Sequence, residues 1–273
     1  MSGIRITVLA DDFVANRTAR GEHGLCFHIA IHDRNILFDT GQGLVLAENA
    51  KALGIDLGTV DTLALSHGHY DHTGGLPIAL SAARSAVAVH LHPDALQPKF
   101  NKTRPIGIPP AALATLHAPG VRLLPSRTSG EVAPGLFLTG EVPRLHPEEP
   151  LAEVFHLDPD GNAPDPLLDD QTLFFDTPQG IVVLLGCAHA GVIHILEHVQ
   201  SLTHHRPIHA VIGGMHLGSA TPSRMNWVID HLRHIAPRIL VPMHCTGPRA
   251  TAALWNTFPD ACRPGGAGAV YEF

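Results

Sequence analysis

The sequence predicts an α/β protein whose chemistry sits at strand ends, and three observations carry that expectation. In the C-terminal half an apolar run, a histidine-bearing turn and a helical stretch recur in order. Ile181–Leu185 leads to His189, His209–Ile212 to His216, and Arg238–Val241 to His244. In the N-terminal half Phe27, Ile29 and Ile31 alternate with His28, Ala30 and His32, the period of a half-buried strand. Between the halves, the apolar run Val60–Leu65 ends in Ser66-His67-Gly68-His69-Tyr70-Asp71-His72-Thr73-Gly74-Gly75. Candidate ligands just past C-terminal strand ends are where open α/β layers build their sites.

Taken in order, the chain opens on a strand, Ile4–Leu9, closed by Asp11-Asp12. Phe27–Ile31 turns at Asp33-Arg34-Asn35 and returns over Ile36–Phe38 as a hairpin. Helices are expected over Leu44–Leu53 and Leu76–Arg84, with a strand over Ala86–Leu91. Pro93–Pro150 breaks the rhythm, since it carries Pro105, Pro109-Pro110 and Pro119 and little periodicity. It reads as an inserted loop or short helical cap, 93–150, over the active site. His156–Pro166, rich in Asp, Pro and Gly, reads as an exposed loop.

Composition sets outer bounds. A chain of 273 residues buries a substantial core, and 45% hydrophobic with 16% charged residues fits an ordinary globule. The formal net charge is −7, and the 18 Lys and Arg are scattered, so no basic face for nucleic acid is expected. No apolar run approaches the ~20 residues of a membrane span. The N-terminus lacks the pattern of a signal peptide. Cys26, Cys187, Cys245 and Cys262 form no C-x-x-C pair, so reduced thiols in a cytoplasm are expected. The expected partner is a small-molecule substrate, with neither nucleic acid nor membrane. A homodimer is open and the oligomeric state is not specified.

The segment His67–His72 puts three imidazoles and a carboxylate into six positions. These are ligand types for divalent transition metals. His67 and His69, two apart, can grip one ion. Asp71 and His72 can turn to a second about 3.5–4 Å away, the spacing of two-metal sites.

H-x-H-x-D-H after a strand resembles the signature of the metallo-β-lactamase-fold superfamily. The resemblance runs on through Glu22-His23-Gly24-Leu25, Leu37-Phe38-Asp39-Thr40-Gly41, Leu138-Thr139-Gly140-Glu141-Val142-Pro143-Arg144, Gly186-Cys187-Ala188-His189-Ala190-Gly191, Gly213-Gly214-Met215-His216-Leu217 and Met243-His244-Cys245-Thr246-Gly247. In that order these look like the branch named for 7,8-dihydropterin-6-methyl-4-(β-D-ribofuranosyl)aminobenzene-5′-phosphate synthase. The resemblance implies a single domain over 1–273 with an αββα sandwich, two mixed β-sheets flanked by helices, and the site at one edge between them. It implies His189 as the third ligand of the first metal and His244 as a ligand of the second. Two divalent ions are expected, zinc first, with Mn or Fe as alternatives. Where many members carry a bridging Asp, this chain has Cys187. Cys187 is either a ligand, which would shift metal preference, or a small buried cysteine. Asp169 or Asp170 is an alternative visitor to the site.

His216, after Gly213-Gly214, is expected to line the site as an acid or base. Asp39 is expected to orient the histidine loop. Lys99, Arg104 and Arg144 are candidate anion contacts for the substrate. His23, His90, His92, His194, His198, His204, His205, His231 and His234 are given no site role, with His194 and His198 on a solvated helical face. Two close cations make hydroxide available near neutral pH, with Asp71 tethering it, so the expected reaction is metal-bound hydroxide attacking an ester, lactone, amide or phosphoester. The branch adds a pterin condensation that expels a phosphorylated group. An iron-dependent redox enzyme of the same fold and a metal-containing ligand-binding protein are the alternatives from other classes.

Overall fold

Strands that are apolar on both faces need cover on both faces, and this requirement organises the molecule. The computed structural model describes residues 3–150 and 154–273. β1 (Arg5–Ala10), β2 (Cys26–Ile31) and β3 (Arg34–Phe38) form an antiparallel run. α1 (Leu46–Ala52) leads to β4 (Thr62–Ala64), and α2 (Tyr70–Thr73) and α3 (Leu76–Ala82) lead to β5 (Val87–Leu91). β6 (Phe100–Asn101), β7 (Arg104–Pro105), α4 (Pro110–Thr115) and β8 (Val121–Pro125) follow. Next come β9 (Thr128–Ala133), β10 (Leu136–Gly140), β11 (Phe155–His156), β12 (Leu173–Thr177) and β13 (Gly180–Leu185). The order closes with α5 (Val192–Leu202), β14 (Ile208–Gly214), α6 (Pro222–Ile235), β15 (Ile239–Met243), α7 (Pro248–Thr257) and β16 (Val270–Glu272).

One mixed sheet runs β16-β1-β2-β3-β4-β5-β8 and the other β15-β14-β13-β12-β10-β9. The alternation of side chains shows how they stack. On β13, Val182 and Leu184 join Phe27, Ile29 and Phe38 in the core between the sheets. Their neighbours Ile181, Val183 and Leu185 pack the other way, against Ile195, Val199 and Val228 of α5 and α6. Leu37 and Leu63 of the first sheet similarly turn outward onto Leu46 of α1 and Leu76 of α3. Helix, sheet, sheet and helix therefore make four layers with three apolar interfaces. Each fully buried Leu, Ile or Phe contributes about 1.5–3 kcal/mol.

The expected strands and helices are present with ends shifted by a few residues; the helix expected from Leu44, for example, starts at Leu46. The stretch 93–150 departs from the cap that the sequence suggested. β8 pairs with β5 inside the first sheet, and β9 and β10 form the edge of the second. Only the small sheet β11-β6-β7 stands apart from the two main sheets. The misreading has a physical cause: edge strands tolerate Pro and Gly, as at Pro125 and Gly130, and so lose the usual strand signature. Among the described residues no helix is long and apolar enough to cross a membrane.

Three parallel strands, β13, β14 and β15, end side by side. β3, β4 and β5 of the other sheet are also parallel. The histidine-bearing turns follow β4, β13, β14 and β15, so both sheets present them at one rim.

Candidate metal centre

The turn after β4 is fixed before any ligand is considered. Asp39 is buried and accepts Ser66 N–H through Oδ1 at 2.7 Å. Its Oδ2 accepts the Ser66 hydroxyl at 2.7 Å and His72 Nδ1 at 2.6 Å. Ser66 Oγ in turn accepts His67 Nδ1 at 2.9 Å. One carboxylate thereby fixes the tautomers of His67 and His72 and leaves both Nε2 lone pairs free, the usual role of a carboxylate behind a ligating histidine. Gly68 passes so close to Ala95 that a Cβ there would strike the Ala95 carbonyl.

Two groups of side chains result. His67, His69 and His189 are buried, with ring centroids 4.5–4.8 Å apart and ligating atoms within 4.8 Å of one another. His67 Nε2 and His69 Nδ1 approach to 2.9 Å. Asp71, His72 and His244 form the second group. Asp71 Oδ2 lies 3.9 Å from His72 Nε2 and 3.5 Å from His244 Nε2. His244 is tied down by Asp11 Oδ1 on its backbone N–H at 3.0 Å and by Asp12 Oδ1 on Nδ1 at 2.6 Å. Asp39, His216 and His244 hold φ of +61°, +47° and +46°, a strained backbone that clusters at working sites.

The electrostatics favour a cation. Burial, with neighbouring imidazoles, pushes His67 and His189 well below the usual histidine range. Burial brings His69 down to about 3. These rings stay neutral, the form that donates to a metal. Burial pushes the Asp71 carboxyl up, but His72, His244 and His69 outweigh it and hold it below the usual carboxylate range. Burial pushes His244 down, but Cys245, Asp12 and Asp71 outweigh it and raise its ring well above the usual value. His69 Nε2, both nitrogens of His189 and His244 Nε2 are buried without a hydrogen-bond partner.

Cys187 sits between the groups. Its Sγ is 3.1 Å from His72 Nε2, and it falls within ligating range of His67 and His72, of His189 and His216, and of His244 and Cys245. His216 stands beside His189 with ring centroids 4.3 Å apart, and its Nδ1 has no partner. Asp170 lies behind the site, where its Oδ2 accepts Ala190 N–H at 2.8 Å, and burial with neighbouring Asp169 pushes it up to about 6.

Four expectations are corrected. Lys99 is not a substrate contact: it is buried, and Nζ is consumed by Asp165 at 2.7 Å and Asp169 at 2.9 Å. Asp169 is likewise engaged, accepting Gly68 N–H at 2.8 Å and so bracing the histidine turn. Arg144 is turned away, donating to the Leu167 carbonyl at 2.9 Å, and does not line the pocket. Arg104 does reach the rim, 3.4 Å from the Tyr70 hydroxyl. His194 is buried rather than solvated, with Nδ1 donating to Ala190 O at 2.7 Å.

The pocket over these groups holds about 270 Å³ and also exposes His23, Tyr70, Phe155 and Cys245. An apolar groove of about 440 Å³, lined by Leu96, Phe100, Ile108 and Leu113, adjoins it at Tyr70 and Arg104. Sequence reasoning missed His23 and Asp12. His23 Nδ1 donates to Asp12 Oδ2 at 2.9 Å, and Nε2 lies 3.4 Å from Asp71 Oδ2. The Glu-His-Gly segment was the available signal.

Comparison with known proteins agrees with this geometry. Residues 19–244 match the metallo-beta-lactamase superfamily. The chain is 27% identical to a 7,8-dihydropterin-6-methyl-4-(beta-D-ribofuranosyl)-aminobenzene-5′-phosphate synthase of Methanocaldococcus jannaschii, covering 100% of this chain and 98% of the relative. An uncharacterised protein of the same organism is 31% identical over 91% of this chain and 93% of its own length. A crystal structure of a metal-dependent hydrolase of the beta-lactamase superfamily superposes with a TM-score of 0.83 at 30% identity, covering 99% of each chain.

Proposed function

The chain belongs to the metallo-beta-lactamase superfamily, and from that premise we propose that it is a dinuclear metal-dependent hydrolase of a small ester, lactone or phosphoester. The observation that carries the reading is the set of buried ring nitrogens without partners on His69, His189 and His244, all lining one pocket with Asp71. Leaving such atoms unsatisfied costs about 1–3 kcal/mol each, and two divalent cations would take one nitrogen from each ring. His67, His69 and His189 would hold one ion, and Asp71, His72 and His244 the other. Zinc suits nitrogen and oxygen donors beside a thiol, with Mn or Fe as alternatives. When bound, two such ions would lower the pKa of a water and polarise a carbonyl or phosphoryl oxygen, which would supply a nucleophile near neutral pH.

The chain's own residues do the rest. Asp71 orients the nucleophile from the floor of the pocket. His216 delivers a proton to the leaving group from its unpartnered Nδ1. Arg104 takes an anionic group at the rim, and Phe155, packed on His69 and His189, screens the ligands from bulk water. A second reading, condensation on a pterin with loss of a phosphorylated group, is favoured by the full-length likeness to the synthase and by the apolar groove beside Arg104.

The test is turnover of generic carboxyl-ester and phosphodiester substrates by metal-loaded protein. Chelation should abolish it, and His69→Ala should abolish it with the fold retained. Equal turnover by wild type and His69→Ala would assign the activity to another site. His216→Ala should lower the maximal rate about 10²–10⁴-fold without loss of metal. Loss of one ion instead would make His216 a ligand.

A further inference from the structure

Asp71 Oδ2 has three imidazole nitrogens around it, and one belongs to a residue with no assigned role. It lies 3.4 Å from His23 Nε2, 3.5 Å from His244 Nε2 and 3.9 Å from His72 Nε2. Donors held at about 2.0–2.2 Å around a tetrahedral ion are roughly 3.3–3.6 Å apart. We propose that His23 is a fourth protein ligand of the second metal, added from the solvent side through Nε2. The inference rests on the dinuclear reading above.

Two independent features of the chain hold His23 in that pose. The first is Asp12, which spends one oxygen on each of two rings: Oδ2 accepts His23 Nδ1 at 2.9 Å, and Oδ1 accepts His244 Nδ1 at 2.6 Å. Both imidazoles are thereby oriented through Nδ1 with Nε2 turned toward Asp71, the pattern of metal ligands with a carboxylate behind them. Their centroids are 5.0 Å apart and their planes tilted by 36°, so the rings converge without stacking. The second is the backbone. Glu22 accepts N–H groups from Gln42, Gly43, Leu44 and Val45, which pins the residue before His23. Gly24, at φ +151°, lies so close to Asp71 that a Cβ would strike the Asp71 carbonyl, and Leu25 N–H donates to that carbonyl at 3.3 Å. The His23 loop is therefore docked onto the backbone of the very carboxylate it faces. A ring needed only at the surface requires no such docking.

The assignment distinguishes the two ions. Asp71, His72, His244 and His23 supply four protein donors to the second, while His67, His69 and His189 supply three to the first. The first ion, with fewer protein donors, would keep the more open site. His23 has 53% of its side chain exposed, against none for His72, so it is the outermost donor of its set.

The experiment is a Co(II) titration of metal-free protein, read by visible absorption and by competition with a chromophoric chelator. Wild type should bind two ions. His23→Ala should bind the first with unchanged affinity, which also reports an intact fold. It should bind the second at least about 10–100-fold more weakly, the penalty already seen for lesser disturbances of metal sites. The second ion's absorption should change because a donor is lost, and added imidazole, which fits the vacated space, should restore both affinity and spectrum. Equal affinities and superimposable spectra for wild type and His23→Ala would overturn the proposal and leave His23 as a hydrogen-bonding neighbour of Asp71. A wild type that binds one ion or none overturns the dinuclear reading itself and the His23 assignment with it.

Discussion

At the scale of single residues, Asp39 holds two of the candidate ligands at once. It reaches His72 directly and His67 through Ser66, so it governs one donor in each proposed metal group. Asp39→Asn keeps the shape but puts an amide where two acceptor oxygens were needed. We expect both metal affinities to fall about 10–100-fold with the secondary structure unchanged, measured by chelator competition. Affinities equal to wild type would show that the rings are oriented by packing alone. The residues also show what could be read in advance. His67, His69, Asp71 and His72 were legible because four donors crowd into six positions, and His189 and His244 because each follows an apolar strand. His23 was not legible in the same way. It follows no strand, and its meaning depends on Asp12 and Asp71, which only the fold brings near. Lys99 was misread for the same reason: its partners Asp165 and Asp169 lie 66 and 70 residues away.

At the scale of elements, the turn after β4 is held from behind by the loop that precedes β12. Asp169 bonds Gly68 N–H on one side and Lys99 on the other, and Lys99 also holds Asp165. Lys99→Met would leave two buried carboxylates without their cation. Breaking a buried ion pair in this way costs about 3–5 kcal/mol, and chemical denaturation should show a loss of that size. A loss under about 1 kcal/mol, the value of a surface pair, would mean that water reaches the cluster. The elements were readable where burial is two-sided, as in β13, whose six residues are all buried. They were not readable in β9, where four successive residues are exposed and alternation vanishes. That exposed edge is why 93–150 looked like a cap although it supplies β8, β9 and β10 to the two main sheets; only its Asn101, Arg104 and Ile106 line the pocket.

At the scale of the whole molecule, the proposed ligands come from both sheets. His67, His69, Asp71 and His72 follow β4 of one, while His189 and His244 follow β13 and β15 of the other. Any ion bound by both sets ties the two sheets together at their rim, where the apolar core between them gives way to polar side chains. Binding to the folded chain alone stabilises it by about 4 kcal/mol when free metal is a thousandfold above its dissociation constant. For a chain of this size each kcal/mol moves the melting temperature by about 2–4 °C, so removing metal should lower it by roughly 8–16 °C. The comparison is a thermal melt of zinc-loaded protein with and without excess chelator, repeated on His69→Ala. The variant has lost one tie between the sheets, so its chelator-induced shift should be clearly smaller than that of wild type. A wild type whose melting temperature ignores chelation would mean that no metal ties the sheets at this rim and that their apolar interface alone holds them together.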